Sequence, residues 1–237
     1  MKILVISDLH LCDSRNEGVS DLDRLEKLAK FINDSNIGAV LNLGDTISRK
    51  PLLLERYDSL RQAFIEVYLK WRSQFTIPFA ECAIPREFDF FSEIMGTDPD
   101  SFLDLPPDGA IITLHPEGGR HFLDHQLKFI YDILDRCENR TIVIGTHVPI
   151  PGSCSRTPIP GLFMELAPEL QERLINFPGK VIWCGGHFHW EPEPPGVTGS
   201  LTALYASRFR IESRNDTTYT STIDTETGMI TTNHLDF

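Results

Sequence analysis

Four times along the chain a short apolar run breaks abruptly into polar residues. Ile3-Leu4-Val5-Ile6 meets Ser7-Asp8-Leu9-His10, and Val40-Leu41-Asn42-Leu43 meets Gly44-Asp45. Ile142-Val143-Ile144 meets Gly145-Thr146-His147, and Val181-Ile182-Trp183-Cys184 meets Gly185-Gly186-His187-Phe188-His189. Runs of this length without alternation read as strands buried on both faces. Helical spacings lie between them. Ser20 can cap a helix whose apolar face is Leu22, Leu25, Leu28, Ala29 and Ile32, because its hydroxyl accepts an orphan backbone N–H. Pro51 opens a second helical pattern over residues 51–73, with Leu53, Leu60, Phe64, Val67, Tyr68 and Trp71 on the buried side; a first-turn proline forfeits no hydrogen bond. Residues 122–136, with Leu123, Leu127, Ile130, Ile133 and Leu134, and residues 168–176 read as further helices. Residues 77–82 and 110–114 read as strands. Strand and helix in alternation predict a largely parallel sheet core.

Two stretches depart from that rhythm. Residues 88–109 carry Phe88, Phe90, Phe91, Pro99, Pro106 and Pro107 and read as a short helix and an irregular insertion. After a Pro-rich turn over residues 190–199, helical spacing vanishes. Residues 201–206, 209–213, 218–224 and 229–232 read as antiparallel strands, joined by turns at Asn215-Asp216 and Thr227-Gly228, in a second sheet packed on the first. No internal repeat or clean boundary interrupts the chain, so a single domain over residues 1–237 is expected.

Composition narrows the classes. With 237 residues and 41% hydrophobic positions the chain can bury a sizeable core. A formal net charge of -12 argues against a protein built to grip a nucleic-acid backbone. The five cysteines, Cys12, Cys82, Cys137, Cys154 and Cys184, are scattered and form no C-x-x-C pair, which fits a reducing cytoplasmic setting better than a disulfide framework. The first apolar run is too short for a signal-peptide core, and nothing approaches the roughly 20 apolar residues of a membrane span.

The strand ends carry the candidate chemistry. In open α/β sheets ligands collect beyond the carboxyl ends of the strands, and there Asp8, His10, Asp45, His147, His187 and His189 would pool. Each alone is read as a turn residue or a solvated imidazole. Together, four of the eight histidines fall at such ends, and mixed nitrogen and oxygen donors suit zinc, manganese, iron or nickel. His115 also ends a strand and reads as a satisfied or surface histidine; His121, His125 and His234 read as surface residues. Cys12 and Cys154 lie near the mouth of such a site as inert thiols.

Asp8-x-His10, Gly44-Asp45, Gly145-x-His147 and Gly186-His187-x-His189, in that order and each after an apolar run, resemble the calcineurin-like metallophosphoesterases over nearly the whole chain. The resemblance implies a four-layer α/β/β/α sandwich, with mixed sheets flanked by helices. It also implies a dinuclear site that hydrolyses phosphate esters: Asp8, His10, Asp45 and His189 around one metal, with Asp45 bridging to a second held by His147 and His187. Two cations about 3.5–4 Å apart would clamp the phosphoryl oxygens and activate a shared water for in-line attack. One motif departs. Where the family has Gly-Asn-His-Asp/Glu, this chain has Ile84-Pro85-Arg86-Glu87. Pro85 has no side-chain donor to replace the asparagine ligand, so the second metal position is expected to be weakened, with His115 or Glu87 as stand-ins. Arg86, assigned with Asp45 to catalysis, can neutralise phosphate oxygens but cannot hand over a proton. Arg156, in the Pro-rich loop, is a further phosphate-binding candidate. The expected cofactors are two divalent ions among Mn, Fe, Zn and Ni, with Mn favoured, and the expected partner is a small phosphorylated mono- or diester. A catalytically impaired relative that binds metal or a phosphorylated ligand is the first alternative; a nuclease is the second.

Overall fold

A computed structural model describes residues 1–11, 20–47, 57–82, 98, 100–117, 119–154, 162–189, 192–206 and 217–236. Two sheets form its centre. In the first, β1 (Lys2–Ile6), β2 (Ala39–Asn42) and β3 (Phe79–Glu81) run parallel, and β10 (Thr217–Asp224) and β11 (Ile230–Asp236) add antiparallel strands beyond β1, giving the order β11-β10-β1-β2-β3. The second holds β4 (Ser101–Leu105), β5 (Gly109–Thr113), β6 (Thr141–Gly145), β7 (Lys180–Gly185), β8 (Gly196–Thr198) and β9 (Leu201–Tyr205) in the order β4-β5-β6-β7-β9-β8. Its β5, β6, β7 and β9 are parallel.

Side-chain alternation along each strand sorts the core into layers. Ile3 and Val5 of β1 and Leu41 of β2 meet Ile111, Val143, Ile182 and Leu204 of the other sheet. The alternate residues Leu4, Ile6 and Val40 pack outward on α1 (Asp21–Asp34) and α2 (Tyr57–Arg72), against Leu25, Leu28, Ile32, Tyr68 and Trp71. On the far side Ile112, Ile142, Ile144 and Trp183 pack on α3 (Asp124–Arg136) and α4 (Pro168–Ile175). Helix, sheet, sheet, helix is the expected sandwich. Because both faces of the central strands are covered, their sequences carry no polar alternation. No helix among the described residues is long and apolar enough to cross a membrane.

Three expectations change. In α1, Ser20 caps as anticipated, accepting from the Asp23 amide at 3.1 Å, but Leu22 is 58% exposed while Arg24 is fully buried. The segment read as an irregular insertion contains β4, which pairs antiparallel with β5; the rest of that reading, and the start of α2 at Pro51, fall outside the described residues. The tail does not form a sheet of its own. β8 returns along the edge of the second sheet, so β9, its antiparallel partner, runs parallel to β7, whereas β10 and β11 extend the first sheet. The 209–213 strand lies outside the described residues.

Candidate metal centre

The loop after β1 and the loop after β2 leave the sheet side by side. The Leu43 amide donates to the Ile6 carbonyl at 2.9 Å, Asp8 to Gly44 at 3.0 Å, His10 to Asp45 at 2.9 Å and Leu11 to Thr46 at 2.9 Å. The loops after β6 and β7 are joined likewise, Thr146 donating to Cys184 at 3.0 Å and Gly186 to His147 at 2.9 Å. Seven non-glycine residues among those described have positive φ, and five of them are Asp8, His10, Asp45, His187 and His189. Left-handed backbone at such residues persists only where the surroundings over-determine it, and it concentrates at functional sites.

These loops bring the six predicted ligand candidates into two groups. Asp8, His10, Asp45 and His189 offer ligand atoms within 4.8 Å of one another, as do Asp45, His147 and His187. In the first, His10 Nε2 lies 2.8 Å from His189 Nε2, and His189 Nε2 lies 3.0 Å from Asp8 Oδ1. Asp45 Oδ2 is 3.9 Å from His10 Nε2 and 3.6 Å from His147 Nε2, which is 3.1 Å from His187 Nδ1. Asp45 alone belongs to both groups.

The donor chemistry fits divalent metals. Two imidazole nitrogens, with two carboxylate oxygens in the first group and one in the second, converge on one small volume in each group, the mixed set such ions take. On Asp8 and His147 the atom not aimed there is occupied. Asp8 Oδ2 accepts from the Ser7 hydroxyl at 2.5 Å and from the His187 amide at 3.0 Å, which turns Oδ1 toward the histidines. His147 Nδ1 lies 2.9 Å from the Leu43 carbonyl. A carbonyl can only accept, so Nδ1 carries the proton and Nε2 presents its lone pair to the site. Gly186 makes the approach of His187 to Asp8 possible: a Cβ there would stand 1.9 Å from Ser7 Oγ and 2.6 Å from Asp8 Oδ2.

Electrostatics agree with ligand duty. Burial alone would raise the Asp8 carboxyl, but hydrogen bonds from His10 and His189, with His147 nearby, hold it well below the usual carboxylate range. Burial pushes His147 down to about 4, so it is neutral at physiological pH. Asp8, His10, Asp45 and His147 are buried, while His187 and His189 are half-buried, so the site opens on their side. Phe188 between them packs on Phe163 and Tyr205 beside buried Cys154.

Behind Asp45 sits a buried polar group that sequence reasoning missed. Asn42 Nδ2 donates to Thr46 Oγ1 at 2.9 Å and to the Tyr68 hydroxyl at 3.0 Å, and its Oδ1 accepts from the Gly44 amide at 3.2 Å. Glu81, at the end of β3, is buried beside them; burial raises it to about 7 although Arg72 Nη1 lies 3.1 Å from its Oε1. Ser7 and Gly186 adjoin ligands in sequence and could have been noticed there. Asn42 and Glu81 end apolar runs as ordinary polar residues and gave no signal.

Other sequence candidates fall differently. Arg86, Pro85, Glu87, Arg156 and Cys12 lie outside the described residues. His115 is buried at the end of β5 and joins neither group among the described residues; its amide donates to Asp100 Oδ1 at 2.7 Å and its carbonyl accepts from Gln126 at 2.6 Å. His121, His125 and His234 are exposed, as read.

Comparison with known proteins agrees with this geometry. The family model described as calcineurin-like phosphoesterase matches residues 1–191. Among solved structures, a dimetal phosphatase from Danio rerio superposes with a TM-score of 0.71 at 11% identity, covering 100% of this chain and 96% of that one. A putative 5'-nucleotidase from Staphylococcus aureus gives 0.58 at 13% identity over 99% of this chain and 54% of that one. A sulfate thiohydrolase, SoxB, from Thermus thermophilus gives 0.54 at 13% identity over 99% and 56%. At such identities these structures speak for the fold alone, and the proteins are named for different substrates. No curated protein matches the chain in sequence. With the family model spanning β1 to the His187-Phe188-His189 segment, the chain belongs to the calcineurin-like phosphoesterase family of hydrolases.

Proposed function

We propose that this protein hydrolyses a small phosphate ester, mono- or diester, using two divalent metals. Asp8, His10, Asp45 and His189 would hold one and Asp45, His147 and His187 the other. The observation that carries this reading is the membership of Asp45 in both groups: a carboxylate with two oxygens is the natural bridge. Two cations so placed supply charge for the phosphoryl oxygens and a lowered pKa for an attacking water. The chain's own part is to prepare that place. Ser7 and the His187 amide hold Asp8 Oδ2, Leu43 fixes the proton of His147 on Nδ1, and the neutral imidazoles set geometry without cancelling the positive charge. Arg86 is assigned to the phosphate oxygens. As it has no proton to give, aryl phosphates and diesters with good leaving groups are the preferred substrates, with Mn²⁺ as the favoured ion. Among the described residues Cys82, Cys137, Cys154 and Cys184 are buried and none forms a disulfide, which fits a reducing cytosol.

Metal analysis of protein purified without chelator, paired with an aryl mono- and diester panel, tests this. Two metals per chain and EDTA-sensitive turnover are expected. The Pro85 substitution favours a second reading, a relative that binds metal or a phosphorylated ligand without turnover. One metal or none, with no cleavage across the panel, supports that reading and sinks the first.

A further inference from the structure

Arg24 is a charged residue in an otherwise apolar seam. It is fully buried on α1 beside Leu25 and Leu28, although a charge at this spacing would ordinarily face water. Its guanidinium is used at two points. Nη1 donates to Asp21 Oδ1 at 2.7 Å, one turn back on the same helix, and Nη2 donates to the Leu9 carbonyl at 2.5 Å. Leu9 stands between Asp8 and His10, both of which have left-handed backbone. The amides of Asp8 and His10 are taken by the β2 loop, through Gly44 and Asp45. The Leu9 carbonyl is held from the other side, by the helix. The helix end that supplies the hold is itself fixed, since the Arg24 amide donates to the Ser20 carbonyl and the Ser20 hydroxyl caps Asp23.

We infer that Arg24 is the positioning residue of the first metal group, acting through the Leu9 carbonyl to hold the turn that presents Asp8 and His10. This rests on the metal-site reading above. A buried carbonyl needs a donor. Arginine's planar fork can satisfy it while a second N–H binds the carboxylate that balances its charge; lysine, a point charge on a flexible stem, cannot hold both in one plane. The role is specific to one group. His147 and His187 come from the other sheet, and their ties to the Asp8–His10 turn run through the His187 amide on Asp8 Oδ2 and through the shared Asp45, not through the Leu9 carbonyl.

Cobalt titration followed by visible absorption tests the assignment in two backgrounds. His187→Ala leaves the first group intact, and His189→Ala leaves the second. Adding Arg24→Met should weaken Co²⁺ binding by about 10–100-fold in the first background and leave the second within about twofold. If Arg24→Met does not fold, as judged by circular dichroism, Arg24→Lys is read instead, with a smaller loss confined to the first background. Equal loss in both backgrounds, or none in the first, overturns the assignment. If the unmutated protein takes up no Co²⁺, the metal reading itself fails, and this role with it.

Discussion

The two candidate metal groups share Asp45 and differ in almost everything else. Three of the four members of the first, Asp8, His10 and Asp45, come from neighbouring parallel strands of one sheet, and their loops are joined by backbone hydrogen bonds. Only His189 crosses from the other sheet. The second takes His147 and His187 from adjacent strands of the opposite sheet and borrows Asp45 across the interface. The first is fixed largely within one sheet; the second exists only if the inner faces of the sheets keep their spacing. An ion at the first group would therefore report mainly on local backbone, with His189 as its one tie across the sandwich, and an ion at the second would report on how the sandwich is closed.

Asp45→Ala breaks both halves at once. Turnover of an aryl phosphodiester should fall by on the order of 10³-fold or more, and metal analysis should find at most one ion per chain; an unchanged rate removes the dinuclear mechanism. His187→Ala sharpens the contrast. It should empty the second group and leave the first filled, so one tightly held ion should survive dialysis, whereas His189→Ala should retain only a weakly bound one. Gly186→Ala attacks the seam where the groups meet, since its new methyl must displace Ser7 and Asp8. A cost of about 1–3 kcal/mol is expected, read as a lowered melting temperature, together with weaker metal binding. A melting temperature equal to that of the unmutated protein would show that the loops yield easily.

A pH dependence follows from the same region. Glu81 titrates at about 7 in the folded chain against an ordinary 4.5. Between those values the folded state binds the extra proton, so this group's contribution to stability is fullest below 4.5 and is lost as pH rises toward 7. Glu81→Gln should flatten that decline in a series of thermal melts, and an identical pH profile would contradict it.

Every member of the two candidate groups is legible in the sequence, because a buried strand has no reason to end in aspartate or histidine four times over. Local spacing also exposed the helices, whereas the layer order came from the family resemblance. What escaped was whatever depends on a neighbour distant in sequence. Arg24, absent from the apolar face read for α1, is buried against Leu9, and Leu22 reads as core until the helix is seen to turn it outward. β4 was hidden in a proline-rich segment whose pairing with β5 settles its form. The direction of β9 follows from the path of β8 around the sheet edge, which no periodicity records.

The His187-Phe188-His189 segment has one more effect. Its two histidines serve different groups, while the ring between them is seated among Phe163, Tyr205 and Cys154. Because the ring lies between the two imidazoles in sequence, a bulky side chain at Cys154 that displaced it is expected to move both. A change in this aromatic nest would thus disturb the two candidate groups in concert, and a coordinated loss of metal binding of that kind would be no evidence that either group's own residues had been altered.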